Sequence, residues 1–297
     1  MARIISILLL SITLPLVLNA QSRRKPYSFE KGNFFGYWGY NRSFYTKSDL
    51  YFTGEGYDFH LDGSVAKDNP STQFKQYINP TTLTVPQFNA RFGYYFKDHY
   101  AVSLGYDHMK YIFQDGNNVL FSGTIDPSLG NVNFDTDTSH KIIPGTYSNL
   151  PVTTNRERFH YENSNGLNYI RVELTRTDRL FGIGKSFTLS SNAGIGAGAI
   201  LSYNDFTFAG QKDMVTISLS GFALSGHASL RFEFWDHLFL RTGVSGGYMN
   251  QKHVKTRPDD DSAYAHQQFG YLQFDTALGF MFYVKPKDPK CNTCPHF

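Results

Sequence analysis

The stretch from Ser225 to Val244, "SGHASLRFEFWDHLFLRTGV", alternates with a period of two. His227, Ser229, Arg231 and Glu233 share one parity; Ala228, Leu230, Phe232 and Phe234 share the other. Successive side chains of a β-strand point to opposite faces, so this stretch predicts a ribbon with one ionic face and one apolar face. In a soluble sheet the apolar face is the core. In a barrel that crosses a bilayer the faces trade places, and apolar residues look out while polar ones look in.

The same alternation recurs along most of the chain. "QFNARFGYYF" sets Phe88, Ala90, Phe92, Tyr94 and Phe96 against Gln87, Asn89, Arg91 and Gly93. "YAVSLGYDHMKYIF" opposes Val102, Leu104 and Tyr106 to Ser103, Gly105 and Asp107, and "LNYIRVELTR" opposes Ile170, Val172 and Leu174 to Arg171, Glu173 and Thr175. "FTLSSNAGIGAGAILSY" and "YLQFDTALGFMFYV" follow the same rule, the latter with Leu272, Phe274, Leu278, Phe280 and Phe282 opposite Gln273, Asp275, Ala277 and Gly279. Period two dominates, and no amphipathic helix is predicted to interrupt it.

Short connections at 96–100, 177–187 and 234–238 alternate with long polar segments at 114–163, 204–215 and 252–266. That pattern predicts periplasmic turns on one rim and long extracellular loops on the other. Closure into a barrel also removes the unpaired edges that lipid does not tolerate. Seven segments are clear, at 267–284, 237–252, 218–234, 187–204, 165–177, 99–113 and 87–97. "NFFGYWGYNRSFY" supplies an eighth. The expected fold is therefore all-β, an up-and-down antiparallel transmembrane β-barrel of eight strands. Ten is the alternative, if Asp49 to Leu61 and part of Gln73 to Thr84 also cross; otherwise these belong to a long first extracellular loop with its own hairpin.

The N-terminus reads as an export signal: Met1-Ala2-Arg3 is basic, Ile4 to Leu18 is apolar, and Leu18-Asn19-Ala20 resembles a small-residue cleavage site. The expected organisation is a signal peptide over 1–20, a periplasmic segment over 21–32, the barrel over 33–284 and a periplasmic tail over 285–297. The chain has 27 Phe and 20 Tyr but only 2 Cys, both near the end, so disulfides cannot hold it together. A net charge of +3 is too small to suggest nucleic acid as a partner.

The apolar-aromatic alternation up to Phe282 resembles the last strand that barrel-assembly machinery recognises, although here residues 285–297 follow it. The chain as a whole resembles small outer-membrane β-barrel proteins of Gram-negative bacteria. Its aromatic-rich "FGYWGYNRSFYTKSDLYF" and "YAVSLGYDHMKY" are similar to uncharacterised barrels of Bacteroidota. The resemblance implies integral outer-membrane location and contact with outer-membrane lipid and lipopolysaccharide. It also implies insertion by the assembly machinery. No cofactor is expected.

The inward parity carries Arg91, Asp107, Arg171, Glu173, His227, Arg231, Glu233, Arg241 and Asp275, with Asn192 among them. An eight-stranded barrel is just wide enough for side chains to fill, and buried charges must be paired, so these residues are expected to form a lumen ionic network. Gly194, Gly196 and Gly198 are expected to leave clearance for long residues such as Arg171 or Arg231. A catalytic alternative is also present: His227-Ala228-Ser229 resembles the His-x-Ser arrangement of outer-membrane lipid A deacylases, with Glu233 as a possible orienting acid. Leu230 stands where that family has asparagine, and the pair shares parity with Arg231 and Glu233 instead of facing lipid.

Asp135 and Asp137, and Asp259, Asp260 and Asp261, supply hard oxygen ligands for calcium at loop tips, but without the spacing of an EF-hand loop. Solvated loop acids are the expected reading, with no metal site. Cys291 and Cys294 are expected to form a small local disulfide in an oxidising compartment. For function, three classes follow. The first is a non-enzymatic barrel acting through its loops or as a subunit of an envelope protein complex. The second is a narrow channel for small solutes, and the third is a lipid-modifying hydrolase.

Overall fold

The computed structural model describes residues 28–283, apart from 117, 138–140 and 185. The expected export signal, residues 21–27, the tail at 285–297 and the cysteines Cys291 and Cys294 lie outside the described residues. The elements in chain order are β1 (Asn33–Tyr45), β2 (Ser48–Gly54), β3 (Tyr57–Ser64), β4 (Ala66–Lys67), one helical turn α1 (Lys75–Ile78), β5 (Phe88–Lys97) and β6 (Tyr100–Phe113). Then follow β7 (Asn118–Ile125), β8 (Gly145–Thr153), β9 (His160–Ile183), β10 (Phe187–Phe208), β11 (Gln211–Phe234), β12 (Leu238–Arg257) and β13 (Asp260–Tyr283).

The thirteen strands belong to one antiparallel sheet. Within it β1, β5, β6, β9, β10, β11, β12 and β13 pair in that order, and β13 pairs back onto β1 from Asn33↔Tyr283 to Tyr45↔Tyr271. The ring therefore closes without an edge. At the end of the ring away from its termini, the upper part of β13 pairs with β2, and the sheet continues through β3 and β7 to β8. These strands form a β-extension standing on the ring.

Side-chain exposure decides which face is which. Leu104, Val172, Ile195, Leu224, Phe274 and Leu278 are exposed on the outside, Leu278 at 71%. Arg231, Glu233 and Asp275, on the opposite parity, are 3%, 2% and 5% exposed. Each large apolar side chain left in water forgoes about 1.5–3 kcal/mol of burial, so a whole belt of them needs an apolar surrounding. One bulge matters to this belt. Between Ile200↔Gly221 and Leu201↔Leu219 the register slips by one residue, so the outward parity changes from Phe222 and Leu224 below to Leu219, Ile217 and Val215 above.

The short connections fall at one end, as expected: Lys97↔Tyr100 closes around Asp98-His99, and Phe234↔Leu238 around Trp235-Asp236-His237. Trp235 and Asp236 take the left-handed conformation that tight hairpins require. The expectation of long loops at the other end is corrected. Residues 204–215 and 252–266 are strand continuations closed by the two-residue turns Ala209-Gly210 and Pro258-Asp259, and 114–163 contains β7, β8 and the start of β9. Those stretches look loop-like because the outer face beyond the belt is polar, which weakens the hydrophobic alternation.

Two apolar clusters fill the interior. One, of Phe29, Phe35, Tyr95, Ala101, Phe239 and Met281, lies at the end with the short turns. The other is larger and runs from Met109, Tyr169 and Tyr271 near the upper ring into the extension, where Phe52, Phe59 and Phe121 are buried.

Candidate functional site

Between the two apolar clusters the ring interior is ionic. Arg91 on β5 donates from Nε to Glu173 Oε2 on β9 at 2.6 Å and pairs with Asp107 on β6 at 2.8 Å. It reaches β9 by passing over Gly105, where a Cβ would stand 2.5 Å from Arg91 Nε. Arg171 pairs with both Asp107 and Glu173 at 3.1 Å and donates to Ser225 Oγ at 2.9 Å. Arg231 and Arg241 face each other in register on β11 and β12, and each has its own acid. Arg231 donates to Glu233 at 2.8 Å, and also to Tyr95 Oη and Ser28 Oγ; Arg241 pairs with Asp275. The four arginines and four acids expected to share the lumen are thus all in ion pairs. That satisfies the requirement that buried charges be neutralised.

The apolar clusters flank this layer. Below it Tyr95, Phe239 and Ala101 stand on the same inward rows as Arg91, Arg241 and Ser103; above it Met109 and Tyr169 follow Asp107 and Arg171. Ser28 and Phe29, which precede β1, close the floor: Phe29 is 1% exposed and packs 5.0 Å from the His99 ring. The cavity left in the lumen measures about 20 Å³. A single water needs about 10–15 Å³ of such space, so this cavity has room for water and not for a substrate.

The hydrolase residues do not meet as a triad. Ser229 Oγ accepts a hydrogen bond from Asn192 Nδ2 at 3.3 Å, and Glu233 is held by Arg231 and Ser190. His227 turns to β9 instead, with Nδ1 3.3 Å from Glu173 Oε1 and Nε2 3.2 Å from Thr175 Oγ1. An acid–imidazole–hydroxyl row therefore exists between Glu173, His227 and Thr175, and it lines the 20 Å³ cavity. The inward glycines serve neighbours other than those expected. A Cβ at Gly194 would meet the β9 backbone at Leu174 O at 2.3 Å and His227 at 2.7 Å, and one at Gly196 would meet Ser225 and Glu173 at 2.9 and 3.2 Å. At Gly198 the obstacle is the β9 backbone, so Arg171 and Arg231 are not what these glycines accommodate.

The extension carries the larger cavities. One cleft of about 400 Å³ is lined by Asn131, Asn133, Lys141, Glu157, Arg158 and Lys212 among others. A second, of about 380 Å³, includes Glu55, Gln211, Arg257, Asp259 and Asp260, and the two share Leu129 and Ala209. Both fall in the size range of small-ligand sites. The loop acids are engaged locally: Asp260 accepts from Ser262, Asp261 pairs with Lys255, and Asp137 N donates to Asp135. Among the described residues no three His, Cys, Asp or Glu side chains converge on a metal position. Sequence reading missed a further polar cluster, in which Glu162 accepts from His160 at 2.7 Å, Ser164 at 2.5 Å and Arg156 at 3.2 Å. The apolar spacings of Leu50, Phe52, Phe59 and Leu61, and of Val119 and Phe121, were the available signal that this region is folded sheet.

Ring closure, apolar exterior and ionic interior define the class: an antiparallel up-and-down β-barrel of the outer-membrane type. No family model matches the chain, and no curated protein matches it. Solved structures similar to it include the outer membrane protein OprG from Pseudomonas aeruginosa, at 11% identity and a TM-score of 0.40, covering 87% of this chain and 100% of that one. The outer membrane protein AlkL is similar at 10% identity and a TM-score of 0.37, with 91% and 99% covered. The outer membrane protease OmpT from Escherichia coli is similar at 9% identity and a TM-score of 0.33, with 88% and 100% covered.

Proposed function

We propose that this chain is a non-enzymatic integral outer-membrane protein whose eight-stranded ring is an anchor and whose extracellular β-extension is the working part. It acts there by surface interaction or as a subunit of an envelope complex. The observation that carries the reading is the contrast between the two ends of one interior. The lumen cavity beside Glu173, His227 and Arg231 measures about 20 Å³, whereas the extension holds clefts of about 400 and 380 Å³. Delivery through the export signal at 1–20, assembly by the machinery that recognises the last strand, and contact with lipopolysaccharide belong to the same proposal, as does kinship with Bacteroidota barrels.

Two measurements test it. In planar bilayers the purified chain is expected to show no discrete conductance steps; small reproducible steps would overturn the anchor reading in favour of a narrow channel. Ser229→Ala is expected to leave lipid A acylation unchanged by mass spectrometry, since Ser229 faces Asn192 and not His227. Altered acylation would revive the hydrolase.

A further inference from the structure

We propose that residues 69–86 form a wedge that lies against the outer wall of the barrel and inserts into the outer leaflet of the membrane. This rests on the membrane-spanning reading above and adds a lipid-binding element to it. β4 and β5 occupy one lane between β1 and β6: Lys67 on β4 pairs with Phe44 and Ile112, and Phe88 on β5 pairs with Tyr40 and His108. The chain leaves that lane at Asp68 and re-enters at Gln87, whose carbonyl accepts from Asn41 N at 3.2 Å. Everything between must go inside or outside the ring.

It goes outside. Asn41 and Ser43 are buried at 4% and 1% and point inward, so Tyr40 and Arg42 point out. Both hold the excursion. Tyr40 Oη donates to the Tyr77 carbonyl at 2.7 Å with the two rings 4.9 Å apart edge to face, and Arg42 pairs with Asp68 at 2.7 Å. α1, in the middle of the excursion, buries none of its residues. Phe74, Ile78 and Val85 stand 74%, 62% and 46% exposed, pointing away from the protein that holds them.

The height of the attachment identifies what covers them. Tyr40 lies seven residues beyond the first residue of β1. At about 3.3 Å per residue and a tilt of about 40°, that is roughly 18 Å above the periplasmic rim, inside an apolar band about 25 Å tall. Phe44 lies farther along β1 and is still 56% exposed on the outside, packed edge to face on Phe274. The wedge is thus attached below the top of the apolar belt. Its composition suits the boundary of that belt, because Gln73, Lys75 and Thr81 are exposed beside the apolar residues. A segment with mixed faces lies in the interface, with apolar side chains among acyl chains and polar ones among headgroups.

The test uses the full chain with Trp38→Phe and Trp235→Phe, reconstituted into phosphatidylcholine vesicles with or without bromine on the acyl chains. A single tryptophan is then placed by Phe74→Trp, by Ile78→Trp, or by Leu104→Trp in the belt as a control. The slowed gel mobility of unheated barrel establishes folding in each case. Quenching by brominated lipid at Phe74→Trp and Ile78→Trp is expected to reach about half that at Leu104→Trp or more, with protection from aqueous acrylamide. If Leu104→Trp is quenched but both wedge positions answer only to acrylamide, the wedge is overturned and the spanning barrel stands. If Leu104→Trp is also unquenched, the spanning reading fails and the wedge with it. Protection that appears only at high protein concentration, without lipid quenching, would mean a second copy covers the segment and would likewise overturn the proposal.

Discussion

Glu173 is the acid on which the ring interior converges, since it meets Arg91, Arg171 and His227 from three other positions of the lumen. Removing one partner of a buried pair costs more than the pair contributes, because the remaining charge is left uncompensated. Glu173→Gln keeps the volume but leaves Arg91 and Arg171 to share Asp107. A loss of about 3–5 kcal/mol in unfolding free energy is expected, read from denaturant unfolding in detergent or vesicles. An unchanged midpoint would mean that water or ions compensate the arginines. The parity that sends these residues inward was legible from alternate positions. The pairing was not, because Arg91 on β5 reaches Glu173 on β9 across Gly105 of an intervening strand, and no local pattern encodes that reach.

At the scale of the element, β9 has a long belt-crossing part and a first five residues, His160 to Ser164, that pair with β10 and β6 at the end of the ring where the extension stands. Burial pushes the Glu162 carboxyl up, but the hydrogen bonds from His160 and Ser164 and the charge of Arg156 outweigh it and hold the group at about 2, against an ordinary 4.5. Because the folded value is the lower one, the stabilisation from Glu162 is complete above about pH 4.5 and is lost as the pH falls through about 2. Acid titration of the near-ultraviolet aromatic signal is expected to show loosening in that window. Glu162→Gln is expected to flatten the step, and an unaltered titration would assign the loosening to other groups. The first residues of β9 fall in the polar segment 114–163, for which the sequence predicts a loop. Its outward residues are polar and its inward ones belong to a core that only the extension creates.

The molecule as a whole has one closed ring and one large aromatic core shared between the ring's upper rows and the extension. Phe59 is 2% exposed and lies 5.0–5.7 Å from the rings of Phe52, Phe121, Phe134 and Phe208. Phe59→Ala is expected to cost about 3–5 kcal/mol locally. It should make β3, β7 and β8 sensitive to protease while the ring keeps its slowed mobility on unheated gels. Loss of both together would show that ring and extension fold as a single unit.

The alternation by itself determined that the chain is a barrel with its faces inverted, and it located seven segments of the ring; the need for an even number of strands pointed to Asn33–Tyr45 as another. That information is local: each strand records its two surroundings in successive residues, and a bilayer outside with ions inside leaves the sharpest contrast. Only the tertiary structure decided which charges pair, that apolar clusters flank the ionic layer of the lumen, that the polar segments above the belt are sheet, and that residues 69–86 lie on the outer wall. Each of these depends on contacts between residues far apart in the chain. Above the belt the outer face meets water, so the two-sided contrast that makes a strand legible is weaker there. "SGHASLRFEFWDHLFLRTGV" carries that contrast along nearly its whole length, whereas β2, β3, β7 and β8 are recognisable as strands chiefly by the neighbours they bury.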